Sequence, residues 1–287
     1  MIQTPHTEIK IITSAKGGVG KSTVCANLGM ALALRGFRVL LIDCDTANRC
    51  LDLMLGMEDS AIYGIRDVLA DVCPIEKAIL SHPKQSNLCL LAGCSADVSW
   101  DPALLDALPA LVKSLAEDTS DQRFDFIFID TPGGMLDVLR TVAACVDEAL
   151  IISSPQATSI RSAEKTATLL AEQNVSRQRL IINSFPAGNS LFKNPKTASS
   201  IGRNLHIKQK KAAVDSLFHV IDTISLTLLG VVPFDETIWE KQNSGILIND
   251  PVCAAQPFSH AFYNMAARLC RRNVPLFTYD KNDRPHK

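Results

Sequence analysis

The apolar run Ile9–Ile12 leads directly into Ala15-Lys-Gly-Gly-Val-Gly-Lys-Ser-Thr23, and a helical pattern starts at Ser22. This order of strand, glycine-rich turn and helix constrains the fold more than any other stretch of the chain. Such a turn aims several backbone N–H groups at one point, where the positive end of the following helix dipole adds to them. Lys16, Gly17, Gly18, Val19, Gly20, Lys21, Ser22 and Thr23 are therefore the candidate phosphate cradle. Lys21 supplies a mobile positive charge for β- and γ-phosphates, and the Ser22 hydroxyl is suited to Mg²⁺. The common pattern G-x-x-x-x-G-K-[ST] would want glycine at position 15, where this chain has Ala15. Lys16 is an extra cation that the common pattern does not explain. The expected ligand is a nucleoside triphosphate with Mg²⁺.

Further apolar runs follow at Val39–Ile42, Leu88–Leu91, Phe126–Ile129, Ala149–Ile152, Leu180–Ile182 and Leu226–Val232. Continuous rather than alternating hydrophobicity suits strands buried on both faces of a mainly parallel sheet. The stretches between them carry helical spacing, clearest over Ser22–Arg35 and Ala103–Leu115. Near the C-terminus, Asp250 is placed to cap a helix with Pro251 in its first turn and Phe258, Ala261, Phe262, Met265 and Leu269 as its core stripe. The expectation is an α/β fold: one doubly wound domain over 1–273, helices on both sheet faces, ligand at the carboxyl ends of the strands. An irregular tail, 274–287, follows; Pro275 breaks it, and Val274, Leu276, Phe277 and Tyr279 form no helical stripe.

With 287 residues, 47% of them hydrophobic, the chain can bury a full core. Its net charge of −1 creates no global field toward nucleic acid or anionic lipid. Met1–Lys10 has no apolar core, so no export signal is expected, and no run approaches the ~18 apolar residues of a membrane span. Nine cysteines without a C-x-x-C pair read as reduced thiols of a cytoplasmic protein. The six histidines show no metal-binding spacing. One region is locally basic: from Ala187 to Val214 there is no acid, while Lys193, Lys196, Arg203, Lys208, Lys210 and Lys211 are present. These cations form either a solvated face or a patch for a polyanion, DNA or lipid headgroups.

Three carboxylates stand where strands end. The second run closes as Asp43-Cys44-Asp45, and extended residues two apart share a face. One of this pair can hold Mg²⁺ or its waters while the other orients a water at the γ-phosphate. Asp130 follows Phe126–Ile129 and leads into Thr131-Pro132-Gly133-Gly134, a turn suited to sensing that phosphate. Asn183 ends the Leu180–Ile182 run, and its amide could read a purine edge.

With these residues in hand, the chain resembles the deviant Walker A ATPases of the MinD/ParA family, whose signature is K-G-G-x-x-[GK]-K-[ST]. The resemblance is closest to the MinD branch: Asp45–Gly56 reads D-T-A-N-R-C-L-D-L-M-L-G, with that branch's Arg, Leu-Asp-Leu and Gly. Tyr63-Gly-Ile-Arg-Asp-Val, Asp147-Glu-Ala-Leu-Ile-Ile, Gly230-Val-Val-Pro and Gln242-Asn-Ser-Gly also fall where the family has similar segments, so the likeness covers about residues 8–270. It implies an ATP-dependent sandwich homodimer in which Lys16 reaches the partner subunit's phosphates. It implies catalytic roles for Lys16, Lys21 and Asp45, with Asp45 positioning the water, and a metal set of Ser22, Asp43 and Asp130. It matches Asn183 to the position that reads adenine. Slow ATP hydrolysis, stimulated by a regulatory partner, would time attachment to a membrane or to DNA. The tail departs from the usual amphipathic anchor of the MinD branch, and the basic insertion at about 186–223 pulls toward the DNA-partitioning ParA branch. A metallocluster carrier is a third possibility.

Overall fold

All seven apolar runs fold as strands, and they do so in one sheet. The computed structural model of the chain describes residues 6–46, 48–93, 100–186, 226–236, 240–241 and 244–274. In chain order its strands are β1 (Glu8–Thr13), β2 (Val39–Asp43), β3 (Ile79–His82), β4 (Gln85–Leu91), β5 (Phe126–Asp130), β6 (Glu148–Ser153), β7 (Gln178–Phe185) and β8 (Thr227–Pro233). The sheet order is β3-β4-β2-β5-β1-β6-β7-β8, and every pairing is parallel except β3 with β4. Register sets Ile12 and Asp43 beside Asp130, so the ends of β1, β2 and β5 meet at one edge.

Alternate strand residues feed two cores. Ile12, Leu41, Phe128, Leu150 and Ile181 pack toward one face, which α1 (Lys21–Ala33) and a C-terminal helix cover. Ile11, Ile42, Ile129, Ile151 and Ile182 pack toward the other. Three short helices add to the covers, α2 (Leu51–Leu55) on the first face and α3 (Ile65–Leu69) and α4 (Ile75–Ala78) on the second. The second face is covered by α5 (Pro102–Ala116), α6 (Leu136–Ala143) and α7 (Ala157–Glu172), and the C-terminal helix of the first is α8 (Pro257–Leu269). Burial on both sides is why the strands read as continuous apolar runs. The helix α1 shows no clear polar stripe because the sheet lies on one side of it and α8 on the other. The stripe Phe258, Ala261, Phe262, Met265 and Leu269 is buried as expected, each large side chain contributing about 1.5–3 kcal/mol of apolar transfer.

Toward the amino ends of the strands, Lys10 is fully buried. Its ammonium donates to Glu148 at 2.7 Å and to Glu8, and Glu148 also accepts from Arg179. The Glu148 carboxyl is held below the usual range: burial alone would raise it, but Arg179 and Lys10 outweigh that effect.

Two local expectations change. The edge strand β3 has no apolar run to announce it, since its Ile79 and Leu80 are only partly covered and Ser81 is exposed. The last helix starts at Pro257 rather than at Pro251. Gln256 is extended, at φ −81° and ψ 151°, as a residue before proline prefers, and a helix cannot run through it. Asp250 instead closes turns, accepting the Val252 N–H with its side chain and the Cys253 and Ala254 N–H groups with its carbonyl. The cations of the 186–223 insertion and the tail beyond 274 lie outside the described residues. Among those that are described, no helix is long and apolar enough to cross a membrane, and the cysteines are free.

Candidate functional site

The loop from Ser14 to Gly20 is shaped by contacts from distant elements. Thr166 on α7 accepts the Ala15 N–H at 3.0 Å, and the Asn183 amide, near the end of β7, donates to the Val19 carbonyl at 2.8 Å. Gly20 must be glycine: its φ is +89°, and a Cβ there would meet the Asn183 amide nitrogen at 2.1 Å. The turn after β5 leans on the same loop. A Cβ on Gly133 would lie 2.8 Å from the Gly17 Cα and 3.2 Å from the Lys21 ammonium.

A cavity of 460 Å³ opens over this loop. Gly18, Gly20, Lys21, Ser22, Thr23, Asp45 and Asn183 line it, so five of the eight cradle residues and two of the other expected residues come together; Gly17 and Val19 do not line it, and Val19 is buried in the core. Sequence reasoning did not find Asn48, Cys50 and Met54 on one wall or Pro233, Phe234 and Asp235 on another. The available signal for the second wall was topological: β8 ends beside β7, so whatever follows Val232 reaches the site. Burial pushes the Cys50 thiol up to about 11, so at neutral pH it is protonated.

The three carboxylates behave differently. Asp45 lines the cavity and Asp43 does not, so the expected shared face is lost; period-two alternation stops where β2 stops, at Asp43. Asp43 is buried, and its two oxygens accept the backbone N–H groups of Asp45 at 2.9 Å and Leu51 at 3.1 Å. Burial, then the neighbouring Asp130, nevertheless raises its carboxyl well above the usual range. Asp130 is fully buried, and neither of its oxygens makes a well-formed hydrogen bond, although the Ser22 hydroxyl lies near enough to steady its charge. Burial pushes it up to about 7, against the opposing Ser22 hydroxyl and Lys21 ammonium, with the Asp45 charge adding to the rise. The Asp45 carboxylate is turned onto its own loop, where Asn48 donates to it through both backbone and side chain.

An orphaned buried carboxylate beside a hydroxyl and a phosphate cradle fits Mg²⁺, a hard cation that takes oxygen ligands and keeps several waters. Among the described residues no group of three or more His, Cys, Asp or Glu is arranged to enclose a metal. Mg²⁺ needs only one or two protein oxygens when phosphates and water supply the rest.

Lys16 stands apart. It does not line the cavity; its ammonium donates to Gln156 at 3.1 Å and to Thr158 at 3.0 Å, at the start of α7.

A family model described as ParA, NUBPL iron-transfer P-loop NTPase, matches residues 6–270. The chain belongs to the ParA family of P-loop NTPases. Within that family it is 32% identical, over 94% of its length and 92% of the relative's, to the septum site-determining protein MinD of Synechocystis sp.. Its structure is similar to that of the MinC:MinD cell division protein complex of Aquifex aeolicus, with a TM-score of 0.77 and 29% identity over 96% of this chain and 100% of that one. It is also similar to the septum site-determining MinD of Pyrococcus horikoshii OT3 complexed with Mg-ADP, with a TM-score of 0.70 and 27% identity over 92% and 96%. The expected α/β fold and the resemblance read from the phosphate loop both stand.

Proposed function

We propose that this ParA-family NTPase is a MinD-like ATPase switch. It hydrolyses ATP with Mg²⁺, pairs with a second copy of itself in the ATP state, and uses that cycle to position cell-division or other polar machinery in the cytoplasm. One observation carries the reading. Lys21 lines the phosphate cavity, whereas Lys16, from the same loop, is held outside it on Gln156 and Thr158. Two neutral acceptors cost little to give up, so this cation is available to a second subunit's phosphates, in the manner of an arginine finger. The MinD names of the relatives support the same reading, and the complex of the Aquifex protein supports a regulatory partner.

The chain's own groups divide the work. The backbone N–H groups of 17–23 cradle the phosphates and Lys21 neutralises them. The Ser22 hydroxyl and the Asp130 carboxylate would hold Mg²⁺, with Asp43 bracing the loop behind them. Mg²⁺ held there would neutralise the charge of the phosphates. Asp45 accepts a hydrogen bond from the attacking water. Asn183, which lines the cavity, would read the adenine edge with the part of its amide not given to Val19, and the Gly133 turn, packed against Gly17, would register the γ-phosphate. Turnover is slow until a partner stimulates it.

The test uses Asp45→Ala protein held in ATP, co-sedimented with anionic liposomes and, separately, with duplex DNA. ATP-dependent liposome binding supports the MinD-like reading. ATP-dependent DNA binding transfers the assignment to the partitioning branch, through Lys193, Lys196, Arg203, Lys208, Lys210 and Lys211. Binding to neither leaves an ATP switch that docks on protein.

A further inference from the structure

The reading above gives Asp45 the attacking water, yet in this structure its carboxylate is already engaged. Asn48 donates its backbone N–H to Oδ1 at 3.1 Å, and its side-chain amide reaches both oxygens, Oδ1 at 3.0 Å and Oδ2 at 3.1 Å. Both residues line the cavity, so this grip lies on the nucleotide side of the loop. A carboxylate has about four lone-pair directions, and three contacts from one residue leave little for a water.

The loop does not need the Asn48 side chain for its shape. Asp43 pins it at both ends through the Asp45 and Leu51 N–H groups. Between those pins the Arg49 N–H donates to the Asp45 carbonyl at 2.8 Å, and the Arg49 side chain pairs with Asp52 at 2.6 Å. The amide therefore adds little to loop structure and acts on the carboxylate.

We propose that Asn48 is a positioning residue that holds the Asp45 carboxylate folded onto its own loop, so that its grip limits the rate of hydrolysis. The proposal rests on the ATPase reading of the site. Before Asp45 can orient a water, the water must displace the amide, and truncating the amide removes that competition.

The test is steady-state ATP hydrolysis by the full chain at saturating Mg-ATP, for the wild type, Asn48→Ala and Asn48→Leu, with ATP affinity and melting measured alongside. Loss of the shared amide contact to both oxygens, with the Asn48 backbone N–H still in place, predicts a kcat roughly two- to ten-fold higher in both variants. KM for ATP and Tm stay at wild-type values, a split that a merely structural residue would not give. In an Asp45→Ala background the same substitutions change nothing. An unchanged or lowered kcat, in whichever variant melts like the wild type, overturns the proposal. A wild-type protein that binds no ATP overturns the ATPase reading, and this proposal with it.

Discussion

Replacing Gly133 by alanine tests whether the turn after β5 and the phosphate loop are one mechanical unit. The new methyl would lie 2.8 Å from the Gly17 Cα, 3.1 Å from the Gly17 nitrogen and 3.2 Å from the Lys21 ammonium. Ordinary contact starts at 3.4 Å, so the two backbones must part by several tenths of an ångström. The Lys21 ammonium, at the end of a flexible chain, can swing aside, but the two Gly17 atoms are backbone of the phosphate loop and move only if the loop moves. Weakening one or two charge-assisted hydrogen bonds to a phosphate costs about 1.5–3 kcal/mol, or roughly a ten- to hundred-fold loss of affinity. Equilibrium titration with a fluorescent ATP analogue reads this directly. Gly133 has no left-handed φ, so the fold itself is spared and Tm drops far less than affinity. ATP affinity equal to wild type would refute the contact as the route between turn and loop.

Two further outcomes follow from buried charge. Lys10→Met leaves the buried Glu148 paired with Arg179 and, at 3.9 Å, Arg177, and should destabilise the protein by about 1–3 kcal/mol in urea unfolding, with ATP affinity unchanged because the network lies away from the cavity. The second concerns pH. Because Asp130 is raised to about 7, the folded state holds its proton more tightly than the unfolded chain, so its contribution to stability is present at low pH and lost as pH rises from about 4 to about 7. Asp130→Asn cannot ionise, so without nucleotide its Tm should gain on the wild type across that range, and a constant difference would show that the carboxyl is not desolvated.

The phosphate loop was legible because its chemistry is local: strand, glycines, Lys21 and Ser22 are adjacent in the chain. The seven long strands were legible because burial on both faces leaves unbroken apolar runs. The strand β3 escaped because four residues at an edge, two of them half-covered and one exposed, carry no such run. The start of α8 was ambiguous in principle, since Pro251 and Pro257 both suit a first turn; tertiary packing decides it by sinking Cys253 into the core, where Ser259 donates to its carbonyl at 2.6 Å. Asp130 could be named as a strand-end acid, but its orphaned oxygens exist only once β1, β2 and β5 close around it. The resting partners of Lys16 lie 140 and 142 residues away, beyond any local pattern. Asn48 is the opposite case. An Asp three residues before an Asn in a turn is a familiar backbone-capping arrangement, and the signal was present in D-T-A-N.

In the proposed switch, ATP and not ADP joins two copies of this chain through Lys16. Sedimentation equilibrium of the Asp45→Ala protein in Mg-ATP and in Mg-ADP, beside the Asp45→Ala, Lys16→Ala double variant, tests it most directly. The expected result is a dimer in ATP, a monomer in ADP, and a monomer in both nucleotides once Lys16 is gone. The same mass in ATP and ADP, or an ATP dimer that survives the loss of Lys16, would contradict it.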